Sequence, residues 1–224
     1  MKGLLQIELF KLFKKIRSWL GPVLIFTLII IAYPLTVEYS TSELAKSFYS
    51  ILWLGSLMTI MFSTEDIFLE DYLDGTMDQY IVNNISLPLI VFIKIFVYWL
   101  LIGVPIGILS FIFAIAFTSN FESSLLIGVI SLVVNYIYFA VFSFGNSLSL
   151  NKGSLLSSLV CLPLVLPILI TLGKFITALE YALNFYSYII LLLGVLSIII
   201  TVSYTHLRAH ETEAELVCRL LLEK

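Results

Sequence analysis

Long unbroken apolar runs, separated by short polar segments, dominate the chain. No charge falls between Gly21 and Val37, between Ile95 and Phe121, or between Ser123 and Asn151. A helix needs roughly 20 apolar residues to cross about 30 Å of hydrocarbon. Inside a bilayer every backbone polar group must be paired within the structure, which leaves helices or a closed barrel. The runs are continuous where barrel strands would alternate, so they predict helices. Six spans result, at 21–38, 46–63, 89–117, 123–147, 154–175 and 183–202. The third is long enough to tilt or to be broken at Pro105. Lys94 sits near its start, where its stem can snorkel to the interface. Pro163 and Pro167 suggest a bend in the fifth. Trp19, Trp53, Tyr33 and Tyr98 stand where interfacial anchors or core packing are both open.

Two segments outside the spans carry helical periodicity. In Leu4 to Leu20, Leu5, Leu9, Leu12, Phe13, Ile16 and Leu20 recur at helical spacing, while Lys11, Lys14 and Lys15 gather on another face with Arg17 near by. This is the pattern of a helix lying in the membrane interface with its lysines facing anionic headgroups; a plain positive-inside flank is the other reading. Gly21-Pro22 would then turn the chain into the first span. The second segment runs from Ser63 to Gly75. Phe68, Leu69, Tyr72 and Leu73 form one apolar face, and Asp66, Glu70 and Asp74 stack one turn apart on another, with Glu65 and Asp71 beside them. Ser63 and Asp66 have capping-box spacing, and Gly75 supplies a stop. The segment predicts a helix of about three turns. It reads as a solvated interfacial helix or as a docking helix for a cytoplasmic partner. An acid–base dyad is disfavoured, because nothing enclosed is evident to perturb the carboxylates.

Lysine and arginine placement sets orientation. Lys2, Lys11, Lys14, Lys15 and Arg17 precede the first span, and Lys94 and Lys152 share that side by parity; Lys46 and Lys174 fall on the other. The N-terminus, the 64–88 loop and the 148–153 loop are therefore cytoplasmic, and the outer loops 39–45, 118–122 and 176–182 are too short for a domain. Composition agrees: 60% of residues are hydrophobic and 12% charged, against about 25% charged in soluble domains. A net charge of −3 says nothing about a nucleic-acid partner, but no basic patch with interleaved aromatics appears, and no such partner is expected. Cys161 and Cys218 make no disulfide framework or metal set, and the basic N-terminus lacks a signal-peptide cleavage site.

The chain carries no phosphate-binding GxxxxGK[ST] loop, so it does not hydrolyse ATP by that route. HExxH, GxSxG and CxxCH are absent as well. No charge sits mid-span, where an ion-coupled transporter usually has one. This argues for a permease powered by another subunit or for a scaffold, and against an enzyme. Gly103-Val-Pro105-Ile-Gly107 is a GxxxG read as helix packing, and the mid-span amide Asn135 as an interhelical hydrogen bond. Asn146 and Asn151 sit at the cytoplasmic end.

These residues together resemble the haem exporter B (CcmB) family, the membrane subunit of the ABC-type complex of cytochrome c maturation. The block Glu65, Phe68, Asp71, Tyr72, Asp74, Gly75 and Asp78 resembles the family's acidic loop, roughly E-x-x-F-x-x-D-Y-x-D-G-x-x-E, with Asp78 where Glu is more usual. Pro88, Lys94, Trp99, Gly103 and Pro105 resemble the segment that follows. Pro163 and Pro167 resemble its proline-bearing fifth span. The loop from Asn146 to Lys152 is leaner in basic residues than the family's. The resemblance covers about residues 5–200. It implies an ABC-2-type permease fold of six spans, working as a homodimer in a bacterial inner membrane with a separate cytoplasmic ATPase that binds the ATP. It also implies that 64–75 is the coupling helix, with Glu65, Asp66, Phe68, Glu70, Asp71, Tyr72, Asp74 and Gly75 at the ATPase contact. A haem-handling membrane partner and a haem chaperone are implied too. Haem is then cargo, not cofactor: no histidine lies in a span, and Tyr or Met residues read as core.

From about Ser203 the chain turns charged and departs from the family's ending. It resembles translated adaptor read-through, so 203–224 is set apart from the membrane domain 1–202, and His206 and His210 are not taken as ligands. A permease for a lipid, glycan or drug and a non-transporting scaffold are the competing functions; a membrane-embedded enzyme is a distant one.

Overall fold

A computed structural model describes residues 2–36, 41–65, 67–83, 85–118, 120–149, 154–181 and 183–201. Asp66, Asn151, Lys152 and the segment 202–224 with His206, His210 and Cys218 lie outside the described residues, as do the side chains of Lys46 and Asp78. The described residues are helical, without a strand. In chain order the helices are α1 (Lys2–Lys14), α2 (Ile16–Thr36), α3 (Thr41–Thr64), α4 (Leu69–Leu73), α5 (Thr76–Val82), α6 (Leu87–Tyr98), α7 (Val104–Thr118), α8 (Phe121–Ser149) and α9 (Ser154–Glu180), then α10 (Tyr186–Thr201). A π-helical turn, Trp99–Gly103, joins α6 to α7.

Five helical segments are long and apolar enough to cross a membrane: Ile16–Thr36, Ser47–Leu73, Leu87–Phe117, Phe121–Ser147 and Cys161–Glu180. Each overlaps one of the first five predicted spans, although the second runs on past the predicted end at 63 to Leu73 and the fifth begins at Cys161, seven residues after the predicted start at 154. The predicted sixth span coincides with α10, which is apolar but shorter. Outward residues such as Leu28, Leu35, Phe62, Ile170 and Ile190 are exposed apolar side chains, the surface a bilayer would cover.

The centre of the bundle is α8, which packs against α3, α6, α7 and α9. Its Ile127, Val134, Ile137, Tyr138 and Phe139 are fully buried. The tightest seam is with α7. A Cβ on Gly107 would lie 2.5 Å from Leu132 Cδ2, and one on Gly128 would lie 2.8 Å from Phe111 Cβ. Small residues let these backbones approach, so the packing reading of the Gly103–Gly107 motif holds. The Asn135 reading holds too: its Nδ2 donates to Gly103 O at 2.9 Å.

Three local expectations are corrected. The chain does not turn at Gly21-Pro22; Pro22 lies inside α2. The break falls at Lys15, bridged by Lys15 N to Leu12 O (3.0 Å) and Ser18 N to Lys15 O (2.8 Å). The seat of α1 decides this. Leu4, Leu5, Leu9 and Leu12 pack on Leu89, Ile93, Val97 and Leu101, so α1 must end where that contact ends. Nor does Pro105 break the third span. Its ring crowds the carbonyl four residues back, at Leu101, and removes a donor; the wider π turn immediately before it absorbs both. Pro163 and Pro167, where a bend is expected, lie within α9, which runs on past both. Finally, the predicted three-turn acidic helix is a turn, then α4, then α5. Ser63 does not cap it, because the Ser63 hydroxyl donates back to Ile60 O at 3.0 Å inside α3.

Candidate functional site

The acidic segment follows α3 without an intervening linker. Ile67 N donates to Thr64 O at 3.2 Å, and Asn146 Nδ2 on α8 also donates to Thr64 O. Ile67 and Phe68 then drop into the core. With Phe68 buried, one turn of helix carries Asp71 to the same inner side. Gly75, at φ +70°, is the left-handed residue that ends the segment, as its position predicts.

Asp71 is therefore not on a solvent face. Its side chain is 1% exposed. Lys94 Nζ stands 2.7 Å from Asp71 Oδ2 and 3.2 Å from Glu8 Oε2. Lys11 Nζ donates to Asp71 Oδ1 at 2.6 Å. The Oδ2 contact is an ion pair without a well-directed hydrogen bond. Tyr80 Oη on α5 donates to the other Glu8 oxygen at 3.1 Å, and Lys94 Nζ also reaches Ile67 O at 3.5 Å. Two acids and two bases from α1, α4 and α6 thus neutralise one another where water is scarce. Burial of a charge is costly unless paired and hydrogen-bonded in this way. The snorkelling expected of Lys94 is overturned: its ammonium points into the protein because two carboxylates meet it there.

The electrostatics follow from this packing. The hydrogen bond from Lys11 and the ion pair with Lys94 offset the cost of burying the Asp71 carboxylate. Burial pushes Lys11 down, and Asp71, Glu8 and Glu70 together overcome it and raise the ammonium above 10.5. Tyr80 is pushed up to about 12 by burial and by Glu8, so its phenol stays a donor. The expectation that nothing enclosed surrounds these acids is corrected for Asp71, which is buried and paired with Lys11 and Lys94. The charges are matched as structural pairs, and an acid–base role gains nothing from that.

The remaining predicted residues divide by exposure. Glu65, Glu70, Tyr72 and Asp74 are exposed, and so is Leu73 at 72%. Glu70 pairs with Lys15 at the surface. The apolar face expected of Phe68, Leu69, Tyr72 and Leu73 is split: Phe68 is inside, Leu69 half-buried, Tyr72 and Leu73 outside. Pro88 is buried in the first turn of α6. Trp99 Nε1 donates to Leu132 O at 2.9 Å, pinning the π turn to α8, and Gly103 accepts Asn135 there. Pro163 and Pro167 are exposed on α9, away from this cluster. Lys11 and Lys15 point at the acidic segment and not at headgroups, which corrects that expectation for these two. Glu8, Tyr80 and Asn146 are the partners that the sequence reading missed. Glu8 had a signal, since a lone acid among Leu4, Leu5, Leu9 and Leu12 needs a buried cation.

Apolar helices around α8, with a neutralised charge cluster at one end, define a helical membrane protein. The CcmB protein family model matches residues 3–210, and this chain belongs to that family. That match ends eight residues into the atypical tail. The chain is 29% identical over 175 residues to heme exporter protein B of Pseudomonas aeruginosa, spanning 75% of this chain and 76% of that one. It is 30% identical over 177 residues to heme exporter protein B of Paracoccus denitrificans, spanning 76% and 79%. It is 28% identical over 159 residues to the Haemophilus influenzae protein of the same name, spanning 70% and 72%.

Proposed function

We propose that this chain is the six-span permease subunit of an ABC-type complex for cytochrome c biogenesis. It couples ATP hydrolysis by a separate cytoplasmic ATPase to haem delivery, or to release of a haem chaperone, on the outer side of a bacterial inner membrane. The N-terminus and the acidic segment face the cytoplasm, the fold is of the ABC-2 kind, and the chain works as a homodimer beside a haem-handling partner. The names of the relatives support the cargo, and the chain's own residues support the coupling.

The observation that carries this reading is Asp71 held between Lys11 and Lys94. The outer residues Tyr72, Leu73 and Asp74 offer the ATPase a small apolar and acidic surface. A push on them moves Asp71. Lys94 passes the displacement to α6, and Lys11 passes it to α1. From α6 it crosses the π turn into α7, whose glycine seam grips α8. A neutral hydrophobic plug in place of the cluster would slide; paired charges resist changes of register.

The test is covalent haem on c-type cytochromes in a host lacking its own B subunit, supplied with this chain and its cognate ATPase. Restored haem staining, lost in Leu73→Asp at an unchanged level of membrane-inserted protein, is the expected result. Leu73 is exposed, so this substitution spares the fold. Full staining with Leu73→Asp would exclude the outer face of α4 as the coupling contact. No staining with the wild-type chain, despite insertion and ATPase binding, would move the cargo from haem to another molecule.

A further inference from the structure

The bend between α1 and α2 roofs a cleft of about 500 Å³ beside the charge cluster, within the roughly 300–1,000 Å³ of small-molecule sites. Its polar wall holds Lys11, Lys14, Lys15, Arg17 and Lys94 against only Glu8 and Glu70. Both acids are already engaged, Glu8 by Lys94 and Tyr80, Glu70 by Lys15. Lys14 and Arg17 have no acid partner among the described residues; Lys14 lies over the Phe10 ring, 4.5 Å from its centroid. Among the described residues the cleft thus carries two cations without an acid partner. Its other wall is apolar, with Leu12, Ile16, Ile67 and Tyr98. Beyond it run the exposed Phe10, Phe13, Ile16 and Leu24, continuous with the outward face of the first span.

We propose that this cleft binds the phosphate headgroup of an anionic phospholipid, with Lys14 and Arg17 as its primary cations and the acyl chains along Phe13, Ile16 and Leu24. A phosphodiester supplies the missing negative charge. The apolar wall and its continuity with the span favour a lipid over a free phosphate, because a soluble anion gains nothing from that half of the cleft. Basic side chains at a membrane surface next to apolar anchors are the general chemistry of anionic headgroup binding. The exposed Lys15–Glu70 pair lines the same cleft, so a bound phosphate sits within reach of the segment proposed to meet the ATPase. The inference does not depend on that proposal, since lipid binding is read without any ATPase.

The experiment uses the full chain purified in neutral detergent, titrated with short-chain phosphatidylglycerol, with phosphatidylcholine of the same chains, and with inorganic phosphate. Bound lipid is counted by native mass spectrometry, and thermal unfolding is followed in parallel. Wild type is expected to retain phosphatidylglycerol and to be stabilised by it, and to ignore the other two. The double variant Lys14→Gln/Arg17→Gln is expected to bind it about ten- to thirtyfold more weakly, the loss of two cations' attraction to an anionic lipid. Lys14→Arg/Arg17→Lys keeps the charge and should keep the lipid. Lys174→Gln, exposed on α9, should change nothing. Equal binding by wild type and the Gln variant overturns the site. An equal response to phosphatidylcholine overturns the charge argument, and an equal response to inorganic phosphate overturns the lipid as its source.

Discussion

The α7–α8 seam and the α1–α4–α6 cluster hold the same bundle by opposite means. The seam is dry shape: glycines 107 and 128 against Leu132 and Phe111, with one amide from Asn135. The cluster is matched charge: Glu8, Lys11, Asp71 and Lys94, within 2.6–3.2 Å of one another along the chain of pairs. In a bilayer water drives no helix together, so close approach carries the interior. At the end of the bundle, short connections and polar residues cannot be packed that way, and complementary charges fix the register. A shape seam fails when something is added. A charge cluster fails when something is taken away.

The largest effect should come from removing the cation shared by two acids. Lys94→Met leaves Glu8 and Asp71 buried and short of a partner, and breaking a buried pair in this way costs about 3–5 kcal/mol. Chemical unfolding in micelles checks it, and a variant as stable as wild type would show that water already reaches the site. Adding volume to the seam comes next. Gly107→Val places a Cβ against Leu132, and overpacking of this kind costs about 1–3 kcal/mol. The paired change Gly107→Val/Leu132→Ala should restore part of it. No rescue would mean that the seam is set by the backbone alone.

Titration separates the two regions further, since only the cluster responds to pH. Lys11 is raised above 10.5 and Tyr80 from 10.0 to about 12. Their contributions are complete below the unfolded values and fade as pH climbs past them. The contributions of Lys11 and Tyr80 should therefore be constant below about pH 10 and fade above it, a base limb that Lys11→Gln and Tyr80→Phe weaken and that Gly107→Val leaves in place. Thermal melts across this range check it.

The division also explains what the sequence made legible. Continuous apolar runs locate the first five spans, though not all of their ends, because lipid imposes one requirement on every residue of a span. Gly103, Gly107 and Asn135 were readable for the same reason: small or polar residues in such a run have few uses. The acidic segment was not readable at the level of its faces. Its periodicity suits a free three-turn helix, but Phe68 is drawn into the core, and that rotation turns Asp71 inward and Leu73 outward. The decisive partners, Glu8 and Lys94, are 86 positions apart, and no local pattern joins them. The break at Lys15 was hidden likewise, since it answers to the seat of α1 on α6 and not to Gly21-Pro22.

The smallest predicted effect tests whether burial, and not charge as such, sets the strength of the cluster. Lys11 and Lys15 are one turn apart on the same side of the chain, and each meets an acid of α4. Lys11, itself 37% exposed, reaches a carboxylate that is 1% exposed, whereas both members of the other pair are open to solvent, Lys15 at 44% and Glu70 at 54%. Solvent screens the second pair, and exposed pairs contribute about 0–1 kcal/mol, often nothing measurable. Lys15→Gln should therefore lower stability by less than about 0.5 kcal/mol, and raising the salt concentration should erase even that. Lys11→Gln should cost more and persist in salt, because Asp71 is shielded from the ions that would replace its partner. The comparison is to be made in neutral detergent, so that no anionic headgroup stands in for Glu70. Equal losses from the two substitutions would mean that the acidic segment opens to water far enough for both pairs to be surface pairs, and Asp71 could not then transmit a push to α6 as a buried link.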